Sequence, residues 1–199
     1  YDASVTKNIF VTSTDYQGNL GGINGANNIC RTRAQFAGLS NYGTYQALIA
    51  SNGVAPMDNI GWNWGTLQTV TGSVVAANPG ALAISSLSAA PNRNEFGVIK
   101  GSYVWGGIGY QCYGEFSTLF TWTSNSSDPR NCSNWTSSSS GVSGSYGSTG
   151  STSYDALHVS YCTPSYACNN SLPIYCVGPN PDLPNITCPG AVDATATKN

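Results

Sequence analysis

Asn8-Ile9-Phe10-Val11-Thr12-Ser13-Thr14, then Asp15-Tyr16-Gln17-Gly18-Asn19, then the spaced set Ala26, Ile29, Cys30, Ala34 and Ala37, is the stretch on which the fold turns. The first segment is β-branched and aromatic enough to read as a strand, and the second has the composition of a turn. The spaced set falls at i, i+3, i+4, i+8 and i+11, one stripe of a helix. Asn24 is placed as its N-cap and Gly38 is placed to end it, so Cys30 faces the interior.

Working outward, Tyr45-Gln46-Ala47-Leu48-Ile49-Ala50 is predicted as a short second helix that Ser51-Asn52-Gly53 stops. Farther on, the chain is strand-like and turn-punctuated. The expected strands are Ser73 to Ala77, Leu82 to Leu87, Gly97 to Lys100, Ser102 to Trp105, Leu119 to Thr123 and Leu172 to Val177. Ser137 to Ser153 is almost wholly Ser, Gly and Thr, which bury too little apolar surface to offset ordering. It is expected as a loop, flexible or glycan-bearing. The domain is expected to span residues 1–177, with an extended Pro-rich tail over 178–199 that holds Cys188.

The chain has 199 residues, 40% hydrophobic, 11% aromatic and 8% charged, with 7 Lys and Arg against 9 Asp and Glu. The charged share is about a third of the roughly 25% usual in soluble domains. So few cations cannot build the basic face that phosphate neutralisation needs, which excludes a nucleic-acid partner and an electrostatic membrane-surface binder. No run approaches the roughly 18 to 20 uninterrupted apolar residues of a membrane span. Beginning at Tyr1 without an initiator Met or a basic-then-apolar leader, the chain is expected to be mature or trimmed.

Seven cysteines stand beside a single histidine, His158, with no C-x-x-C pairs, so disulfides in an oxidising, extracellular compartment are expected rather than a metal site. N-x-S/T sequons at Asn125, Asn131, Asn134, Asn169 and Asn185 fit a secreted, glycosylated surface.

The motifs also carry a family resemblance. Phe10-Val11-Thr12-Ser13, Gly18-Asn19-Leu20-Gly21-Gly22, Gly25-Ala26, Cys30, Ala37-Gly38-Leu39 and Gly43-Thr44-Tyr45-Gln46-Ala47 resemble the opening of a family of secreted bacterial domains of unknown function. Val104-Trp105-Gly106-Gly107, Asn131-Cys132-Ser133-Asn134-Trp135-Thr136, Cys168 and Ile174-Tyr175-Cys176 are similar to its later landmarks. The resemblance covers about residues 8 to 177. It implies an α+β, C-type-lectin-like (endostatin-like) fold, in which two helices pack on a twisted antiparallel sheet with long irregular loops. It also implies a Cys30–Cys176 bridge, which by loop closure contributes on the order of 4 to 5 kcal/mol. A second bridge would use Cys132 and Cys168; Cys112 with Cys162 remain, and a Cys162 to Cys168 pairing stays open. Cys188 is then left over for another chain.

Catalytic and metal readings are weaker. Asp155, His158 and Ser160 have triad residue types, but no Gly-x-Ser-x-Gly elbow accompanies them. Glu95 and Glu115 would serve a glycosidase only about 5 to 9 Å apart. The calcium-dependent sugar triplets of lectins are missing, since only Pro91-Asn92-Arg93-Asn94-Glu95 and Ser133-Asn134-Trp135 come near them. Asn92, Asn94, Glu95, Asp128 and Asn134 are calcium donors by type alone.

Aromatic side chains offer the other binding chemistry, because a sugar's apolar face stacks on Trp or Tyr. Trp62, Trp64, Tyr110, Tyr113, Trp135 and Tyr146 are the candidate contacts, although core is the favoured reading for Trp135, as for Trp105 and Trp122, and an equal alternative for Trp62 and Trp64. The expectation is a non-enzymatic extracellular recognition or adhesion domain for a glycan or surface protein, without a cofactor. The alternative is a glycosylated subunit of a surface filament or layer, self-assembling through the tail or Cys188.

Overall fold

The structure, a computed structural model, describes residues 2–83, 86–106, 130–157 and 166–180. In chain order it contains β1 (Thr6–Val11), α1 (Gly22–Phe36), β2 (Gln46–Ala47), α2 (Pro56–Ile60), β3 (Thr66–Thr69), β4 (Val74–Ala76) and α3 (Pro79–Ala83). Then come β5 (Tyr103–Trp105), β6 (Ser143–Gly144), β7 (Tyr146–Ser148), β8 (Tyr166–Ala167) and β9 (Tyr175–Pro179). The first four strands and the last form one five-stranded sheet in the order β2-β9-β1-β3-β4.

The architecture is α+β, but the sheet is mixed, not antiparallel as expected. β1 and β3 run parallel, with Ile9 opposite Thr69, while the other pairs are antiparallel. Parallel neighbours need a long crossover, and the chain between β1 and β3 supplies it, carrying α1 and α2.

Apolar side chains alternate between two cores, one on each face of this sheet. Ile9, Val11, Tyr175 and Val177 join Met57, Trp64 and Leu67 on one side. Phe10, Ile174 and Cys176 join Ala26, Cys30, Trp105 and Trp135 on the other. The same alternation corrects the second helix. Tyr45, Ala47 and Ile49 belong to the α1-side core, and Leu48 and Ala50 to the opposite one, so the segment is extended and buried on both faces. A continuous apolar run of that length has no periodicity to separate strand from helix. The second helix is α2 instead, entered through Pro56 at its first turn.

α1 begins earlier than Asn24. Gly21 is its N-cap, at φ 81°, a left-handed conformation that glycine adopts without strain. Its other end is as read: Gly38 at φ 69° donates to the Gln35 carbonyl (3.0 Å) and Leu39 to that of Ala34 (3.0 Å). Of the predicted stripe, Ala26, Cys30 and Ala34 are buried. Cys30 is bonded to Cys176 of β9, with Cα atoms 5.4 Å apart.

Asn27 lies on the same buried face and holds α1 to the edge strand β2. Its Oδ1 accepts from Ala47 N (2.8 Å), and Asn59 Nδ2 donates to the Ala47 carbonyl (2.7 Å). Edge groups that would template another chain are thereby satisfied within the molecule.

Several strand expectations also change. Leu82 to Leu87 begins inside α3. Gly97 to Lys100 forms one arm of a tight turn in which Ile99 bridges Arg93. Leu119 to Thr123 lies outside the described residues. The Ser/Gly/Thr-rich segment 137–153, expected as a loop, carries β6 and β7. Pairing with β5 and β8 supplies what its composition lacks, and Thr149 within it is fully buried with its hydroxyl on the Lys100 carbonyl (2.7 Å). β9 continues past Val177, and Asn180 N still reaches the Thr6 carbonyl (3.1 Å).

Candidate functional site

Two short ribbons bring three tyrosines together. β5 pairs antiparallel with β7, setting Tyr103 opposite Ser148 and Trp105 opposite Tyr146. β6 pairs with β8, setting Gly144 opposite Tyr166. With side chains alternating along each strand, Tyr103 and Trp105 share the face that Tyr146 occupies. The Tyr103 and Tyr146 rings meet edge-on, with centroids 4.8 Å apart at 65°. Tyr146 meets Tyr166 at 5.3 Å and 72°, and Tyr103 lies 6.1 Å from Tyr166. Edge-to-face pairs satisfy the ring quadrupoles and contribute roughly 0.5–1.5 kcal/mol each.

Tyr103 is 47% exposed, and Tyr146 and Tyr166 are half-buried, so the cluster presents ring surface and phenols to water. Burial, then the neighbouring phenols of Tyr103 and Tyr166, push the Tyr146 hydroxyl above its ordinary range. It stays protonated and can donate as well as accept.

The support beneath is rigid. Trp105 is fully buried edge-on to Trp135 at 5.9 Å, its Nε1 donating to the Tyr16 carbonyl (2.8 Å). Gly144 has no side chain because the Trp105 ring and Cys132 Sγ occupy that space; a Cβ there would stand 2.8 Å from the sulfur. Cys132 is bonded to Cys168, in the turn just after Tyr166 of β8.

Cys132 also starts an unusual turn. Cys132, Ser133, Asn134 and Trp135 all have positive φ, between 52° and 63°, making one left-handed helical turn. For L-residues this costs roughly 1–2 kcal/mol each. The surroundings impose it: the disulfide at one end and the Trp135 indole, donating to the Ala50 carbonyl (2.7 Å), at the other. Between them the Asn131 side chain accepts from Asn134 N (2.8 Å), and the Asn134 side chain accepts from Asn52 N (2.9 Å).

The candidate contacts therefore divide. Tyr146 is in the cluster. Trp64 and Trp135 are fully buried and are core, not surface contacts. The glycines around Trp64 permit its burial, since Gly65 lies so close to Ala3 that a Cβ would stand 2.2 Å from its carbonyl oxygen. Trp62 is half-buried with its indole on Asp58 (3.0 Å), packed on the core opposite to the one that Tyr146 and Tyr166 pack on. Tyr110 and Tyr113 lie outside the described residues. Sequence reasoning missed Tyr103 and Tyr166, although the alternation Tyr103-Val104-Trp105 in an expected strand was a signal for the first.

Of the sequons, Asn131 is buried with its Nδ2 donating to Asn52 (2.9 Å), so the folded chain withholds it from a glycan. Asn134 is half-buried, Asn169 is exposed, and Asn125 and Asn185 lie outside the described residues. Cys112, Cys162 and Cys188 do too. With Cys168 bonded to Cys132, the Cys162 to Cys168 alternative is overturned.

Of the residues read for catalysis or calcium, Glu95 and Asn94 are engaged within the fold. Glu95 is buried, accepting from Ser13 N (2.8 Å), the Ser13 hydroxyl (2.7 Å) and Arg33 Nε (2.6 Å). Asn94 Oδ1 accepts from Phe96 N and Val98 N (both 3.0 Å). Glu115, Asp128, His158 and Ser160 lie outside the described residues. Among the described residues no three His, Cys, Asp or Glu side chains converge, and no helix is long and apolar enough to cross a membrane.

No protein-family model matches this chain, and no curated protein matches it.

Proposed function

We propose that this chain is a non-enzymatic extracellular recognition or adhesion domain of C-type-lectin-like fold, similar to the secreted bacterial domains whose motifs it resembles. The observation that carries the reading is the Tyr103/Tyr146/Tyr166 cluster, an exposed aromatic and hydroxyl surface held on buried tryptophans and a disulfide. Tyrosine loses little conformational freedom on contact and binds through both ring and hydroxyl, which suits a neutral glycan or a protein loop. Both bonded cysteine pairs fit an oxidising compartment. A glycan array with the full chain tests it. Binding by the wild type that a Tyr103→Ala, Tyr146→Ala variant loses at least tenfold supports the site; binding that survives unchanged refutes it.

The second reading, a self-assembling surface subunit, is favoured by a separate observation. Phe36, Phe96, Val98 and Ile99 are all more than half exposed in a chain of net charge −2.

A further inference from the structure

Two Asn-Gly pairs occur in the sequence, Asn24-Gly25 and Asn52-Gly53, and both asparagines are exposed. The fold treats them oppositely. Asn24-Gly25 lies inside α1, where Gly25 N donates to the Gly21 carbonyl (3.2 Å) and a Cβ on Gly25 would stand 2.0 Å from the Leu20 carbonyl oxygen. Asn52-Gly53 is the tip of a two-residue turn, closed by Ser51 N on the Val54 carbonyl (3.1 Å) and Val54 N on that of Ser51 (3.0 Å). Both closing bonds belong to Ser51 and Val54, so rotating the peptide between Asn52 and Gly53 breaks neither. Gly53 is at φ 76° with nothing within 4 Å of where a Cβ would stand, so nothing there opposes the rotation.

The Asn52 side chain is held beside the left-handed turn. Asn131 is buried and accepts from Asn134 N through its Oδ1 (2.8 Å), which points its Nδ2 at Asn52. That Nδ2 donates to Asn52 Oδ1 at 2.9 Å. A backbone donor thus fixes which way the Asn131 amide faces, and Asn131 in turn fixes Asn52. A donor on a carbonyl oxygen stabilises the negative charge that grows there when a nucleophile adds to the carbon.

We infer that Asn52 is a site of spontaneous conversion to aspartate and isoaspartate, with Asn131 as the donor to the reacting carbonyl. The Gly53 backbone nitrogen adds to Asn52 Cγ, and its proton passes through water to Nδ2. A new N–C bond replaces the Cγ–Nδ2 bond, ammonia leaves, and a five-membered imide remains. One water then opens the imide at either carbonyl, giving aspartate or, with one more carbon in the main chain, isoaspartate. No oxidant or reductant is needed. The product adds one negative charge to a chain of net charge −2, and the isoaspartyl form lengthens the turn whose Asn52 N donates to Asn134 Oδ1. Gly25 does not follow this course, because its peptide cannot turn without breaking the helical ladder. The inference goes beyond the recognition reading and does not rest on it.

Timed incubation of the full chain at mildly alkaline pH, read by peptide mapping and mass spectrometry, is the test. The expected result is an amide-to-acid mass gain with an isoaspartyl linkage at residue 52, at least ten times faster than any gain at residue 24. In denaturant with the disulfides reduced, the two rates converge. Gly53→Ala slows the native reaction at least tenfold. Asn131→Asp keeps the acceptor for Asn134 N but replaces the donor with a negative charge, and slows it at least threefold; a circular dichroism melt confirms that this variant folds. Residue 24 reacting as fast as residue 52 in the folded chain, or no gain at residue 52, would overturn the site. An Asn131→Asp rate equal to that of the wild type would overturn the part given to Asn131.

Discussion

Arg33 and Glu95 are bonded side chain to side chain at 2.6 Å, the acid wholly buried and the base 17% exposed. Glu95→Gln keeps the shape and leaves a largely buried guanidinium without its counter-charge. Urea unfolding should register a loss of about 3 kcal/mol, because removing one partner of a buried pair strands the other. The Arg33→Met, Glu95→Gln double variant should recover most of that loss. Equal losses in the two variants would mean that packing, not charge, is responsible.

The disulfides differ in span, 146 residues for Cys30–Cys176 and 36 for Cys132–Cys168. Loop-closure entropy alone assigns about 5 and about 4 kcal/mol to them. Paired alanine replacements compared by denaturant unfolding should keep that order. The shorter bridge should fall below its entropic value, because its loss lets the left-handed turn relax. A larger loss for the shorter bridge would contradict this.

Ser133 is exposed at φ 54°, ψ 53°, in the strained turn. Ser133→Gly should raise stability by about 0.5–1 kcal/mol, since glycine escapes the left-handed penalty by more than its extra unfolded entropy costs. A melting temperature higher by about 1–3 °C is the readout. At a right-handed position the same change lowers it, so the sign decides.

Burial pushes the Tyr45 phenol up to about 12, opposed weakly by Asn8, and pushes Tyr175 well above its ordinary value. In both, the folded state holds the proton more tightly than the unfolded chain does. Their contribution is fully present below about pH 10 and is lost as pH rises through the folded values. Lys7 acts in the opposite direction near its ordinary range, because burial lowers it. The two tyrosines should dominate. Stability measured from pH 9 to 12 should fall, with tyrosinate absorbance appearing together with unfolding, and Tyr45→Phe should flatten the fall.

How much was legible follows from periodicity. α1 declared itself because polar and apolar positions alternate on a helical period around Cys30, and β1 because Ile9 and Val11 are β-branched and flank the aromatic Phe10. The run Tyr45–Ala50 hid its extended form because both of its faces are covered, one by α1 and the other by the opposite core. β7 was hidden for the reverse reason: Gly147 and Ser148 carry no signal, and its place depends on β5 and on Gly147 lying against the Ala156 carbonyl. The tyrosine cluster joins residues from three strands whose pairing no local pattern encodes. Trp64 and Trp135 show the limit of reading exposure from flanking glycines, since small neighbours let a large ring sink inward as readily as stand out.

β1 lies between β3 and β9, so the strand at residues 6–11 has as one neighbour a strand made about 165 residues later. During synthesis Ile9, Phe10 and Val11 wait, sticky and half-partnered, until residues 175–179 have emerged. Closure of the sheet is therefore a slow, high-contact-order step. The nascent polypeptide must be kept from aggregating while the intervening residues are made, and Cys30 must stay reduced, or wrongly paired, until Cys176 arrives.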